Sequence, residues 1–342
     1  MTPATVVYDK LYSKHRQHEG HPEQPARLDA LLRGVSAAKA IVQPPEALHP
    51  DREAELPKLV HSPTYVEAIR HFGEGRYDPD TMVHPETFGI AIRAAAGAVH
   101  AADLAMAGTP AFALLRPPGH HAGPDNAAGF CYFNNIAIAS QHLIKSGAAK
   151  KVAIVDIDVH HGDGTERIFE SRPDVLYISA HQWPHYPGTG AVDVCGRGEG
   201  MGFNLNIPLP AGSGDATYKL AFGRVIEPVL GEFRPDVVLV SLGFDAHTRD
   251  PLADLTLSTS GYAECCRWIL QFAALRCGSR VAYLLEGGYD LEALEDCGEA
   301  VALTLAGEMP KPRFAHSEDT RSRGAEAVEF SRKTQSRYWN LK

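Results

Sequence analysis

Paired cysteines are missing from this sequence. Cys131, Cys195, Cys265, Cys266, Cys277 and Cys297 are present, but no two are spaced as C-x-x-C, which excludes the usual thiolate zinc site. Their scatter suits reduced thiols in a cytoplasmic protein. A chain of 342 residues can also bury a core large enough to hold without disulfides. Basic residues are in deficit, 33 Lys and Arg against 42 Asp and Glu. The net charge of −9 argues against a general nucleic-acid or anionic-membrane binder and predicts weak steering of cationic substrates. Long apolar runs are absent as well. No stretch of ~18 apolar residues offers a membrane span, and Met1–Arg16 lacks the apolar centre of a signal peptide. No internal repeat, low-complexity segment or linker divides the chain. Residues 1–342 are therefore read as one domain, with 310–342 a C-terminal surface helix or tail docked by Tyr338 and Trp339.

Short apolar, β-branched runs recur at Thr5–Tyr8, Ala111–Leu115, Val152–Asp156, Val175–Ser179, Phe203–Ile207, Val237–Ser241 and Val281–Leu285. Several are apolar almost throughout, as strands buried on both faces of a parallel sheet are. Helical patterns lie between them, among them Thr87–Met106, Ile136–Ser146, Ala216–Phe233 and Gly261–Leu275. This alternation predicts an α/β fold, three layers α/β/α around a mostly parallel central sheet. In such sheets ligands bind outside the carboxyl ends of the strands. Five of the expected strands are followed there by Arg116–His121, Asp156–Asp163, His181, Gly243–Asp245 and Glu286–Tyr289.

Alternation along a strand puts Asp156, Asp158 and His160 on one side. A lone Asp-x-His reads as a strand end that caps a helix. Here five ionisable groups crowd the nine residues Asp156–Gly164, and burying them without a cation would be costly. Catalytic zinc commonly keeps three protein ligands and one open position. Asp158 and His160 supply two. Asp245, near Gly243, is the best third, its alternative role being a helix N-cap. His120 and His121 follow the rigid Pro117-Pro118-Gly119 and suit acid–base work near neutral pH. Tyr289 follows Gly287-Gly288 and reads either as a donor to a developing oxyanion or as a packing residue on a glycine turn. His15, His18, His21, His61 and His247 read as surface or capping residues, and Cys265 and Cys266 as core thiols.

Taken together with Gly129–Asn135 and Pro187–Gly190, these strings resemble the zinc-dependent histone deacetylase family, in order from about Tyr8 to Leu305. That family includes bacterial deacetylase-like amidohydrolases and acetylpolyamine amidohydrolases. Pro208–Asp215 and Gly243–Ala246 look closest to its second class. The resemblance implies an arginase/deacetylase-type fold and a single catalytic domain. It implies Zn2+ on Asp158, His160 and Asp245, with Fe2+ or Co2+ as substitutes suited to an oxygen-rich set. By the same match His121 is the general base and then acid, with Asp163 as its partner. His120, paired with Asp156, is mainly electrostatic, and Tyr289 polarises the amide carbonyl. A structural K+ would sit on carbonyls of Asp156, Asp158, His160 and Ala180 and on the side chains of Asp156 and Ser179. Gly129 and Phe130 would form one wall of an acyl-lysine tunnel, and His181 would support the site from behind.

Two positions depart from or divide the family. Tyr186 stands where relatives usually have a second tunnel phenylalanine, which narrows or polarises the tunnel. Leu252 is like the deacetylases of protein lysine, whereas the polyamine-selective eukaryotic member has a glutamate there. Asp80 and Thr81 align loosely with the substrate rim. The expected activity is removal of acetyl or other acyl groups from acyl-lysine. An acetylpolyamine deacetylase is the near alternative. A two-manganese arginase-like enzyme, with metals ~3.5–4 Å apart, and a non-catalytic acyl-lysine binding protein are the distant ones. The expected partner is a peptide or small acylated amine, not nucleic acid or membrane, and the oligomeric state stays open.

Overall fold

A computed structural model describes residues 2–317, 319 and 321–341. Of the C-terminal segment, Glu318, Thr320 and Lys342 lie outside the described residues. Among the described residues ten strands are present: β1 Thr5–Val7, β2 Ile41–Gln43, β3 Gly75–Asp78, β4 Thr81–Val83, β5 Ala111–Ala113, β6 Val152–Asp156, β7 Val175–Gln182, β8 Asn204–Leu209, β9 Val237–Leu242 and β10 Val281–Leu285. Eight form one sheet in the order β2-β1-β5-β10-β9-β6-β7-β8, and every pairing in it is parallel. Helices cover both faces, so β6, β7, β9 and β10 are buried at every residue. β3 and β4 make a separate antiparallel hairpin.

The order places β5, β10, β9 and β6 side by side at the centre. Their carboxyl ends lead into residues 116–121, 286–289, 243–245 and 157–163. Segments far apart in sequence therefore open on one crevice.

Several expected boundaries move. β7 runs on to Gln182, so His181 lies within the strand; pairing of His181 with Pro208 and Gln182 with Leu209 on β8 prolongs it. The expected helix Ala216–Phe233 is three pieces, Asp215–Ala221, a wide π turn Phe222–Ile226, and Glu227–Phe233. Pro228 has no N–H to return to the preceding turn, and the helix widens just before it. Thr87–Met106 forms as expected. By length and composition it is apolar enough to cross a bilayer, yet most of it is buried against the sheet and neighbouring helices.

β8 is an edge strand, and the helix Arg321–Gln335 packs beside it. Trp339 then anchors the C-terminus, its indole N–H donating to Gly202 O at 2.8 Å, while the Tyr338 ring lies over Gly202.

The surface assignment fails for four histidines. His18 is exposed, but His15, His21, His61 and His247 are buried. They are core residues with polar partners. His61 Nδ1 donates to Gly123 O at 2.7 Å while its Nε2 accepts from Asn134 N at 2.9 Å. His247 Nδ1 accepts from Arg249 N at 3.2 Å, and His21 Nδ1 from Glu23 N at 3.0 Å. All six cysteines are free and buried.

Burial holds the pKa of His15, His61 and His247 at about 4. Below the ordinary histidine pKa the unfolded chain binds the extra protons, so stability is full above it and falls as pH drops toward the native value. Each such histidine should cost about 1–2 kcal/mol between about pH 7.5 and pH 5. Urea unfolding at both pH values should give His61→Gln a smaller acid loss than wild type by about that amount. An equal acid loss in both proteins would refute this.

Candidate active site

Asp158, His160 and Asp245 converge at the centre of the crevice, and their ligating atoms all lie within 4.8 Å of one another. His160 Nδ1 is 3.1 Å from Asp158 Oδ1 and 3.2 Å from Asp245 Oδ2. The three are buried, and Asp245 Oδ2 has no hydrogen-bond partner. Backbone amides orient the carboxylates. Asp158 Oδ2 accepts from Gly287 N at 2.8 Å and Asp245 Oδ1 from Val159 N at 3.0 Å. A Cβ on Gly243 would collide with the Asp158 carboxylate, and one on Gly287 with that of Asp245. Burial, then the Asp158 charge, pushes the Asp245 carboxyl up. Two buried carboxylates and an imidazole this close, with one carboxylate oxygen making no hydrogen bond, fit a divalent cation. Among the described residues this is the one such cluster.

The adjacent histidines have opposite characters. His120 Nδ1 donates to Asp156 Oδ2 at 3.1 Å, and its Nε2 is 3.8 Å from Asp158 Oδ1. Burial opposes charge on His120, but Asp158 and Asp156 outweigh it and raise the pKa well above the usual histidine range. His121 Nδ1 donates to Asp163 Oδ1 at 2.9 Å. Burial and the neighbouring His120 hold His121 at about 4 despite Asp163. Two rings with centroids 4.1 Å apart are thus pushed in opposite directions, His120 toward the charged form and His121 toward the neutral one. Arg167 Nη2 lies 3.4 Å from Asp163 Oδ2 on the outer side.

Tyr289 is buried beside this pair. The Arg27 guanidinium stacks 4.9 Å over its ring, and Phe130 meets it edge-on at 6.1 Å. A narrow cavity of about 90 Å³ reaches His120, His121, Asp158 and His160 from the surface. Gly129, Phe130, Tyr186 and Leu252 line it, with Asp80 at its mouth. Gly129 and Phe130 both take the left-handed conformation, φ 53° and 69°. Gly129 needs it with no side chain, since a Cβ there would enter the His121 ring. Tyr186 packs edge-on to His121 at 5.1 Å, 43% exposed.

The residues expected for a monovalent cation are also grouped. Asp156 pairs in register with Ser179, Ala180 follows on β7, and Asp158 and His160 leave the end of β6. His181 stands behind them, hydrogen-bonded to Ser179 Oγ at 2.9 Å and Gly190 O at 3.0 Å.

Sequence reasoning missed the residues that brace the site. Glu286 Oε2 accepts from Gly119 N at 2.6 Å and His120 N at 3.1 Å, tying the end of β10 to the histidine loop. Burial raises its pKa to about 7. Arg27 donates to Glu286 O and Gly288 O, each at 2.6 Å. Buried Glu23 binds both Arg27 and Arg116. The four-residue spacing of Glu23 and Arg27 is the one local signal of this set, with Glu23 just before the helix Ala26–Ala37 and Arg27 in its first turn.

Residues 21–305 match the model of the histone deacetylase domain. The chain belongs to the histone deacetylase family. It is 42% identical to a probable deacetylase of Methanothermobacter thermautotrophicus, over 91% of this chain and 93% of that one. It is 38% identical to a probable deacetylase of Archaeoglobus fulgidus, covering 88% and 86%. The crystal structure of the HDA15 HD domain superposes with a TM-score of 0.88 at 34% identity, covering 99% of this chain and 96% of that one. The sheet and crevice are therefore the arginase/deacetylase fold of this histone deacetylase-family chain.

Proposed function

We propose that this histone deacetylase-family chain is a metal-dependent amidohydrolase that removes acetyl or other acyl groups from acylated amines, acyl-lysine foremost. The observation that carries the reading is the split histidine pair beside the Asp158–His160–Asp245 cluster, with the Tyr289 phenol adjoining. Zn2+, or Fe2+ or Co2+ in its place, would be held by those three residues and would supply Lewis acidity toward water and the amide carbonyl. A structural K+ on the carbonyl group around Asp156 and Ala180 belongs to the same reading.

His121, neutral and oriented by Asp163, takes a proton from the attacking water. The water oxygen bonds to the carbonyl carbon as the C=O pair moves onto oxygen. Tyr289 O–H donates to that oxygen as its charge grows. His121 then passes its proton to the amine nitrogen as the C–N bond breaks, leaving a carboxylic acid and a free amine. His120, held charged between Asp156 and Asp158, contributes its field without giving up its proton. Gly129, Phe130, Tyr186 and Leu252 sheath the acyl-bearing chain and exclude water. The whole chain is read as one catalytic domain, and its six free cysteines suit a reducing, cytoplasmic compartment.

Carboxylate release from a panel of acetyl-lysine peptide, acetylputrescine and longer acyl amides tests this, with and without chelator. Chelation should remove at least ~100-fold of turnover, restored by Zn2+ or Co2+. The acetyl-lysine peptide should exceed acetylputrescine by about tenfold, one missing favourable contact of ordinary size. Turnover indifferent to chelator would overturn the metal mechanism. Two Mn2+ per chain would favour an arginase-like enzyme, and a tenfold preference for acetylputrescine a polyamine substrate. Ligand binding with no turnover would make the chain a reader of acylated lysine.

A further inference from the structure

Asp250 takes no part in the chemistry above, yet it is 8% exposed and its carboxylate is bonded in two directions. Oδ1 accepts from Leu252 N at 3.0 Å. That bond is local, two residues along, and an ordinary Asx turn accounts for it. Oδ2 accepts from Tyr289 N at 2.7 Å, 39 residues away. No local turn accounts for the second bond. Nor is it a helix cap, because Asp290 caps the following helix itself by accepting from Ala293 N at 2.8 Å. Asp250 is in turn held by its own N–H, which donates to His247 O at 2.8 Å.

Two of the amides it holds belong to functional residues. Leu252 lines the cavity, and Tyr289 bears the phenol that reaches the amide oxygen. Tyr289 follows Gly287 and Gly288, and Gly288 sits at φ 109°, so the preceding backbone offers little stiffness of its own. Arg27 grips that segment from one side through Glu286 O and Gly288 O. Asp250 grips it from the other at Tyr289 itself.

We propose that Asp250 is a positioning residue that fixes the Tyr289 phenol against the tunnel wall. This rests on the reading of Tyr289 as donor to the amide oxygen. A donor displaced by ~1 Å loses on the order of 10²-fold in rate, although substrate binding changes little. The structure thus assigns to one carboxylate the registration of the loop after β10 on the loop after β9.

The test is a double-mutant cycle on the metal-loaded full chain, following kcat and KM on acetyl-lysine peptide, metal content and urea midpoint. Asp250→Ala should lower kcat by about 30–100-fold with KM changed less than about fivefold. Asp250→Asn keeps one carbonyl oxygen and should lose about tenfold. In a Tyr289→Phe background, either change should cost less than about threefold, since the phenol being positioned is gone. A merely structural role would cost the same factor in both backgrounds, and that additivity would overturn the proposal. So would Asp250→Ala with kcat within about threefold of wild type. If Asp250→Ala does not fold, Asp250→Asn completes the same cycle. Tyr289→Phe alone at wild-type kcat would instead overturn the reading of Tyr289, and the role of Asp250 with it.

Discussion

His121→Ala is expected to lower kcat by about 10³-fold on acetyl-lysine peptide while KM moves by no more than a few-fold. The size follows from the absence of a substitute. His121 is held near pKa 4 by burial and by His120, so it is a free base at neutral pH. His120 is close enough to be considered, but Asp158 and Asp156 keep its proton on against burial. Among the described residues that line the cavity, the other histidines are His120 and His160, and His160 belongs to the metal-binding cluster. Asp163→Asn should cost less, about tenfold to a hundredfold, because it disturbs the orientation of His121 without removing it. Steady-state kinetics with metal content measured on each variant would check this. A loss below tenfold in His121→Ala at full metal loading would assign the proton transfer elsewhere.

Tyr289→Phe should remove about 10²–10³-fold of kcat with KM again almost unchanged. The phenol must stay protonated to donate, and burial pushes its pKa well above its ordinary value even with Arg27 stacked on the ring. Its bond strengthens only as charge builds on the amide oxygen, so the ground-state complex hardly feels its loss. The ring itself, packed against Arg27 and Phe130, is retained in phenylalanine, which keeps the cavity shape. If kcat/KM fell wholly through KM, Tyr289 would be a binding residue rather than an oxyanion donor.

Much of the sheet was legible because its central strands are buried on both faces. Val152–Val155, closed by Asp156, and Val281–Leu285 show this as apolar runs, and both strands have the expected ends. β2 was not legible, since Ile41–Gln43 is a short edge strand with two exposed residues. The hairpin of β3 and β4 was missed for the same reason, its residues being mostly half-exposed and polar. The candidate reacting residues could be read because ionisable groups crowded at the ends of apolar strands are costly to bury unless a cation or a proton transfer uses them. Their braces could not. Glu286 and Asp250 act through backbone amides of other segments, and an amide leaves no signature in a sequence. The buried histidines misled for a related reason, since polarity suggests surface until a partner such as Asn134 N or Gly123 O is seen.

The braces also bear on how such a site can change over generations. Glu286 fastens the histidine loop, Asp245 the segment at Val159, Asp158 the turn at Gly287 and Asp250 the turn at Tyr289. The loops after β5, β6 and β10 are thus each tied by a carboxylate that grows from a different loop, and the loop after β9 supplies two of these fastenings. Replacing the loop after β9 by one without Asp245 and Asp250 would strip a fastening from two neighbours. Tyr186 and Leu252 differ, because the side chains they turn to the cavity fasten none of these loops. Under the proposed function, substrate preference could drift at those two positions one substitution at a time, while the carboxylates that fasten the floor of the site would have to change together.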